Sequence, residues 1–390
     1  KKASAENFIT SFARYYTPIV VGLAVLLAIV PPLVMGEPFY GWVYRALTFL
    51  VISCPCALVI SVPLSFFGGI GGASKAGILI KGSNYIETLA NVETLVFDKT
   101  GTLTKGVFEV QNVETMIDQK DFLRYVASAE QSSSHPIAQS IVKYVDQPLS
   151  SVSKLEEIAG FGISVEIEGH HFLVGNEKLL AKYDIPFQAV NEIGTIVYVA
   201  MDGKYIGHLL IADELKDNVS EALSEVKSLG VKRTVMLTGD NRMIADAIGK
   251  KVGIDQVYSE LLPEDKVNHL ESELSDDQKT AFVGDGMNDA PVLARADIGI
   301  AMGGLGSDAA IEAADVVIMD DQPAKIPVAI QIARKTMGIV KQNIVFAIGV
   351  KVIVLLLGAL GFATMYAAVF ADVGVTVIAV LNAMRCLRMK

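Results

Sequence analysis

The hydropathy pattern divides the 390-residue chain into two apolar ends and a long polar middle. Tyr15–Gly36 and Ala46–Ser74 carry no charge, and each is long enough to cross a bilayer. Toward the other end, Gln342–Gly361 and Thr364–Met384 are apolar apart from Lys351 and Asp372. Four spans are therefore expected, two on each side of the middle. The first is too long for a signal peptide and lacks a small-residue cleavage site. Lys1, Lys2 and Arg14 precede the first span, and Lys75 and Lys81 follow the second. Arg334, Lys335 and Lys341 precede the third, and Arg385, Arg388 and Lys390 follow the fourth. The short connections Gly36–Arg45 and Gly361–Met365 carry only Glu37 and Arg45. By the positive-inside rule both termini and the polar middle are expected on the cytoplasmic side.

Between about residues 85 and 335, strand-like and helix-like patterns alternate, which predicts a parallel sheet covered by helices. Thr94–Phe97 reads as a short buried strand ending at Asp98. Further candidate strands are Thr234–Leu237, Thr280–Val283, Ile298–Ala301 and Val316–Met319. Several run into acids: Thr238-Gly239-Asp240, Gly284-Asp285-Gly286 and Asp320. Residues 111–210 break the alternation. A polar helix, Asp121–Ala129, is followed there by two hairpin patterns, Ile163–Ile167/Phe172–Val174 across Glu168-Gly169 and Ile196–Met201/Lys204–Ile211 across Asp202-Gly203. This predicts an inserted antiparallel α+β domain. The expected division is membrane at 1–90 and 336–390, an α/β core at 91–110 and 211–335, and the insertion at 111–210.

Composition sharpens that picture. Apolar residues make up 52% of the chain and charged residues 19%, rich in apolar residues for a soluble protein. A net charge of −10 without a basic stripe argues against a nucleic-acid partner. Three cysteines, two of them two positions apart, make no disulfide framework and suit a reducing or intramembrane setting.

Acids at strand ends along one edge of an α/β sheet suggest a Mg²⁺–phosphate site. Asp98 in that position can act as a nucleophile toward a phosphoryl group and give an aspartyl-phosphate. Thr100 and Thr102 add hydroxyls, and Gly101 lets the backbone approach a phosphate closely. No G-x-x-x-x-G-K-[ST] run occurs, so ATP would not be held by a P-loop. In the second span, Cys54-Pro55-Cys56 interrupts helical bonding and lets two sulfurs face one cavity, a donor set for a soft or borderline metal. Lys351 and Asp372 are ionisable groups deep in apolar spans and are functional by default. Two thiolates and a carboxylate give −3, a divalent ion leaves −1, and Lys351 brings the set to zero.

The run Asp98–Thr104 (DKTGTLT), together with Gly284–Pro291 (GDGMNDAP), resembles the P-type ATPases, and the resemblance runs through the whole chain. It implies α-helical membrane spans plus an α/β haloacid-dehalogenase-like phosphorylation domain with an inserted α+β nucleotide-binding domain. Asp98 would be phosphorylated by ATP. Asp98, the Thr100 carbonyl and Asp285 would hold Mg²⁺, with Asn288 and Asp289 shaping that site. Thr238 and Asp240 belong to the same catalytic set, and Lys266 would neutralise the transferred phosphate. Where related phosphatases carry a second Asp as general acid this chain has Thr100, so the acyl-phosphate is expected to persist.

Ser133-Ser134-His135-Pro136 resembles the nucleotide pocket of the heavy-metal branch, which implies Glu130, His135, Gly160, Gly162, Gly175 and Asn176 around adenine and ribose. Cys-Pro-Cys marks the same branch. Lys351 and the Asp372-x-Gly374 pattern resemble the zinc/cadmium/lead exporters, and the Tyr-Asn and Met-x-x-Ser-Ser patterns of copper pumps are absent from the last spans. The transported Zn²⁺, Cd²⁺ or Pb²⁺ would be held by Cys54, Cys56 and Asp372, with Lys351 as counter-charge. The setting implied is the bacterial plasma membrane. The partners implied are lipid, ATP, the metal ion and an N-terminal portion of the pump carrying the Thr-Gly-Glu actuator loop, which this sequence does not contain. Two other readings are a membrane-tethered phosphohydrolase and a metal-sensing scaffold with a vestigial ATPase site.

Overall fold

The computed structural model describes the chain except residues 1–3, 54–55, 134, 191, 193, 276–277, 286–288, 304–307, 360–364 and 389–390. Along the chain the strands are β1 (Ile78–Ile80), β2 (Val92–Asp98), β3 (Thr104–Thr115), β4 (Val152–Ile158), β5 (Gly162–Ile167), β6 (His170–Gly175) and β7 (Thr195–Met201). They continue with β8 (Lys204–Leu215), β9 (Arg233–Leu237), β10 (Gln256–Tyr258), β11 (Lys279–Gly284), β12 (Ile298–Met302) and β13 (Val316–Ile318). Two compact units emerge, one of residues 1–96, 220–235 and 263–390, the other of 97–219 and 236–262. Strands β2 and β9 each begin in the first unit and end in the second.

In the first unit the sheet runs β1-β13-β12-β11-β2-β9, with β10 beside β9 where that strand has passed into the second unit. Strand β12 is parallel to both β11 and β13. Every residue of β12 and β13 is buried, as expected of parallel strands covered on both faces. The edge departs from an all-parallel sheet, because β1 pairs antiparallel with β13, Ile78 opposite Ile318. Three residues are too short a run to announce a strand by alternation.

Four stretches among the described residues are long and apolar enough to cross a membrane: Arg14–Met35, Phe39–Lys75 (the helices Phe39–Ser53 and Cys56–Lys75 on either side of residues 54–55), Lys325–Val354 and Val369–Arg388. Four such stretches are the pattern of a multi-pass membrane protein. Residues 342–359 of the third expected span form the later part of one long helix, Lys325–Ala359, which begins well before the apolar run. Polar side chains and glycines knit these helices, as in apolar surroundings they must. Asn343 donates to the Ala379 carbonyl at 3.1 Å and accepts from Asn382 at 2.9 Å. Gly69 lies against Thr336, where an added Cβ would come within 2.5 Å of the hydroxyl. Cys386 is buried beside Gly68, so its place is in packing.

The second unit carries a six-stranded sheet of order β3-β8-β7-β6-β5-β4, antiparallel throughout. Both expected hairpins are present. Their turns, Glu168-Gly169 and Asp202-Gly203, have positive φ at both central residues, the backbone that tight hairpins with matching twist demand. One face of the sheet packs Val165, Phe172, Val199 and Leu209 against Phe122, Val126 and Ile141 of the helices Gln119–Glu130 and Pro136–Tyr144. The other face gathers Leu173, Tyr198, Leu179 and Leu180.

Candidate phosphorylation, nucleotide and ion sites

Asp98 is the last residue of β2 and only 4% exposed, held with extended backbone as the chain turns away. The turn Lys99–Leu103 depends on Gly101, whose φ of +70° an L side chain rarely adopts. Lys216 Nζ donates to the Gly101 carbonyl at 2.5 Å, which fixes the turn from β8's far end. Thr102 Oγ1 is buried without a hydrogen-bond partner, an orphan donor of the kind a bound phosphoryl oxygen would satisfy. That orphan donor fits a phosphoryl group.

Sequence reasoning missed Lys99 and Asp213. The Lys99 ammonium lies 2.6 Å from Asp240 Oδ2 and 3.8 Å from Asp213 Oδ2, with Lys99 and Asp213 almost fully buried. The Asp240 contact is an ion pair rather than an aligned hydrogen bond. Thr104 Oγ1 donates toward Asp213 Oδ2 at 2.5 Å and lies 3.0 Å from the Lys99 carbonyl. Burial raises the Asp213 carboxyl above the usual range, against the pull of the Thr104 hydroxyl and Lys99. Asp213 near the end of a strand was a visible signal. Its partner, 114 positions earlier, was not. Asp240 also donates its N–H to Thr238 Oγ1 at 3.1 Å, so the Thr-Gly-Asp run closes on itself.

In the first unit, Lys266 lies in the helix Pro263–Glu273 and its ammonium donates to Asp289 Oδ1 at 3.0 Å. Both side chains are largely buried, so Lys266 is no solvated surface lysine. Asp285 stands one residue past β11 and is half-buried. Asn288 lies outside the described residues.

Of the residues assigned to nucleotide, four form one knot. Gly162 and Gly175 are cross-strand partners in β5 and β6. An added Cβ on Gly162 would come 2.2 Å from the Val174 carbonyl oxygen, and one on Gly175 would come 2.2 Å from that of Phe161. Only glycine permits this approach. Asn176 Nδ2 donates to the Gly160 carbonyl at 2.9 Å, while its Oδ1 caps the helix Glu177–Lys182. Glu130 ends the helix Gln119–Glu130, and burial, reinforced by the charge of Glu157 on β4, pushes its carboxyl up to about 7. His135 Nδ1 accepts from the Ile137 N–H and caps the helix Pro136–Tyr144, with its ring exposed.

Within the membrane helices, a cavity of about 30 Å³ is lined by Ala57, Leu58, Val350, Lys351, Ala371 and Asp372, among others. It brings together residues roughly 300 positions apart in sequence. Cys56 opens the helix Cys56–Lys75 one residue before Ala57 of that lining, and Cys54 lies outside the described residues.

Residues 92–297 match the haloacid dehalogenase-like hydrolases. The chain belongs to that family. It is 57% identical to a cadmium, zinc and cobalt-transporting ATPase of Bacillus subtilis (strain 168), over the whole of this chain and 57% of the relative. It is 53% identical to a zinc-transporting ATPase of Synechocystis sp. (strain ATCC 27184 / PCC 6803 / Kazusa), over 99% of this chain and 54% of that protein. The crystal structure of a zinc-transporting PIB-type ATPase in an E2·Pi state superposes with a TM-score of 0.86 at 36% identity, covering 99% of this chain and 66% of that one. Within the family the chain is thus similar to metal-transporting P-type ATPases. It spans little more than half the length of these curated relatives.

Proposed function

We propose that this chain is the phosphorylated, nucleotide-binding and ion-binding part of a pump that uses ATP to export a divalent transition metal, Zn²⁺, Cd²⁺ or Pb²⁺. The observation that carries the reading is the membrane cavity shared by Lys351 and Asp372 beside the start of the cysteine-bearing helix. A carboxylate with thiolates suits a divalent borderline ion, and the lysine balances the remaining charge. Cys54, Cys56 and Asp372 hold the ion.

Asp98 is the nucleophile and takes the γ-phosphoryl group from ATP, while ADP leaves. Mg²⁺, when held by Asp98, the Thr100 carbonyl and Asp285, supplies charge compensation for that transfer. Lys266 balances the phosphoryl charge, Asn288 and Asp289 shape the metal site, and Thr238 with Asp240 supports the phosphorylated turn. Glu130, His135, Gly160, Gly162, Gly175 and Asn176 receive the nucleotide. Residues 1–90 and 336–390 serve as the membrane part, 91–110 and 211–335 as the phosphorylation domain, and 111–210 as the nucleotide-binding domain. The lysine and arginine distribution supports a cytoplasmic position for both termini and the catalytic domains, and the membrane assigned in this reading is the bacterial plasma membrane. Bilayer, ATP, metal ion and a Thr-Gly-Glu-bearing segment of the same pump are the partners.

The test is metal-dependent phosphorylation of the complete pump from labelled ATP. Labelling that requires Asp98 and is stimulated by Zn²⁺ but not Cu⁺ is the expected result. Labelling unaffected by Asp98→Asn, or a preference for Cu⁺, would overturn the proposal.

A further inference from the structure

Strands β3 and β8 pair so that Glu114 stands directly opposite His208. Direct cross-strand partners project to the same face with their Cβ atoms a few ångströms apart. Glu192 reaches the same place from the segment between residues 186 and 194, where the Val190 N–H donates to the Tyr198 hydroxyl at 3.1 Å. A carboxylate oxygen of each glutamate and a ring nitrogen of His208 all lie within 4.8 Å of one another. All three residues line one open cavity of about 840 Å³.

His208 supplies an independent observation. It is only 2% exposed, in the middle of β8. Its Nδ1 is 2.8 Å from the Tyr205 hydroxyl, and its buried Nε2 has no hydrogen-bond partner. An unsatisfied buried nitrogen costs about 1–3 kcal/mol. An imidazole whose other nitrogen is engaged by an oxygen partner, with two carboxylates alongside, is the usual arrangement of a metal-ligating histidine.

We propose that Glu114, Glu192 and His208 form a divalent transition-metal site in the second unit, separate from the membrane cavity, that takes Zn²⁺ with water as fourth ligand. One nitrogen and two oxygens suit a borderline ion, as in catalytic zinc sites with three protein ligands. Mg²⁺ and Ca²⁺ prefer oxygen alone, and Cu⁺ prefers sulfur. Two carboxylates and a neutral imidazole cancel the charge of a dication. Zinc bonds of about 2.0–2.2 Å bring tetrahedral donors to roughly 3.3–3.5 Å from one another. Rotamer changes of two accessible glutamates close that gap while His208 stays fixed in the sheet. The site does not depend on the transport reading.

The test uses the full 390-residue chain in a Cys54→Ser/Cys56→Ser/Asp372→Ala background, so that the membrane ligands are removed. Zinc stoichiometry is measured by equilibrium dialysis in excess Mg²⁺, which occupies oxygen-only sites. The background chain is expected to retain one Zn²⁺, which raises its thermal midpoint. Glu114→Gln/Glu192→Gln should weaken that binding roughly 100-fold or more and abolish the zinc-dependent rise, with the metal-free midpoint little changed. Co²⁺ in the background chain should give d–d bands without a thiolate charge-transfer band, and His208→Gln should remove them. No bound zinc in the background, undiminished binding in the double variant, or equal displacement by Mg²⁺ would each overturn the proposal.

Discussion

Lys99 Nζ sits 2.6 Å from Asp240 Oδ2 and 3.8 Å from Asp213 Oδ2, so the residue after the proposed nucleophile anchors two carboxylates from distant parts of the chain. A charge pair this enclosed costs desolvation, and removing one member leaves the others uncompensated. Its value lies in holding Asp98 and the following turn in one geometry.

Lys99→Met should therefore lower unfolding stability by about 3–5 kcal/mol. It should reduce phosphorylation at Asp98 as well. Chemical denaturation and acid-quenched labelling of the same preparation check both effects.

Asp98→Asn is expected to abolish the hydroxylamine-sensitive phosphoenzyme while nucleotide binding persists, because the residues proposed to receive the nucleotide, among them Glu130, Gly162 and Asn176, are untouched. Labelling from ATP beside a nucleotide titration reads the two separately.

Gly162→Ala and Gly203→Ala separate two uses of glycine. At Gly203 the space is open and only the positive φ is strained, which costs about 1–2 kcal/mol. At Gly162 the new methyl meets backbone at 2.2 Å as well, so β5 and β6 must part. Nucleotide binding, followed by calorimetry, should be lost in Gly162→Ala and kept in Gly203→Ala.

Glu130 gives a pH signature. Burial raises its carboxyl to about 7 in the folded chain, above the ordinary carboxylate range. From the ordinary range up to about pH 7 the folded state holds a proton that the unfolded state has lost, so this group's contribution to stability falls as pH rises. Above about 7 the loss is complete and the curve flattens. Glu130→Gln should remove that slope, measured as thermal midpoint against pH in both proteins.

For the ion site, Asp372→Ala should sharply weaken Zn²⁺ and Cd²⁺ binding in the complete pump, and affinity should fall on acidification as the ligands protonate. Lys351→Ala leaves the ligands but uncovers negative charge, so release should suffer more than capture. Metal stoichiometry and ATPase stimulation distinguish the two.

Much of this was legible along the chain, because it rests on local pattern. Unbroken apolar runs announce the spans, as each buried backbone group must bond within its own helix. Alternation around Glu168-Gly169 and Asp202-Gly203 announces hairpins, since their turns need positive φ. Asp98, Asp240 and Asp285 could be found at strand ends by inspection.

Tertiary structure alone decided which distant residues meet. Lys99 finds Asp213, Glu114 faces His208, and Lys351 shares a cavity with Asp372 and Ala57. Helix and strand periods say which face a side chain takes but not which neighbour covers that face. The neighbour is set by sheet register and helix packing, which satisfy hydrogen bonds and exclude voids over the whole unit at once. A lone histidine such as His208 therefore looks ordinary in sequence and becomes a candidate ligand only once β3 and β8 are paired.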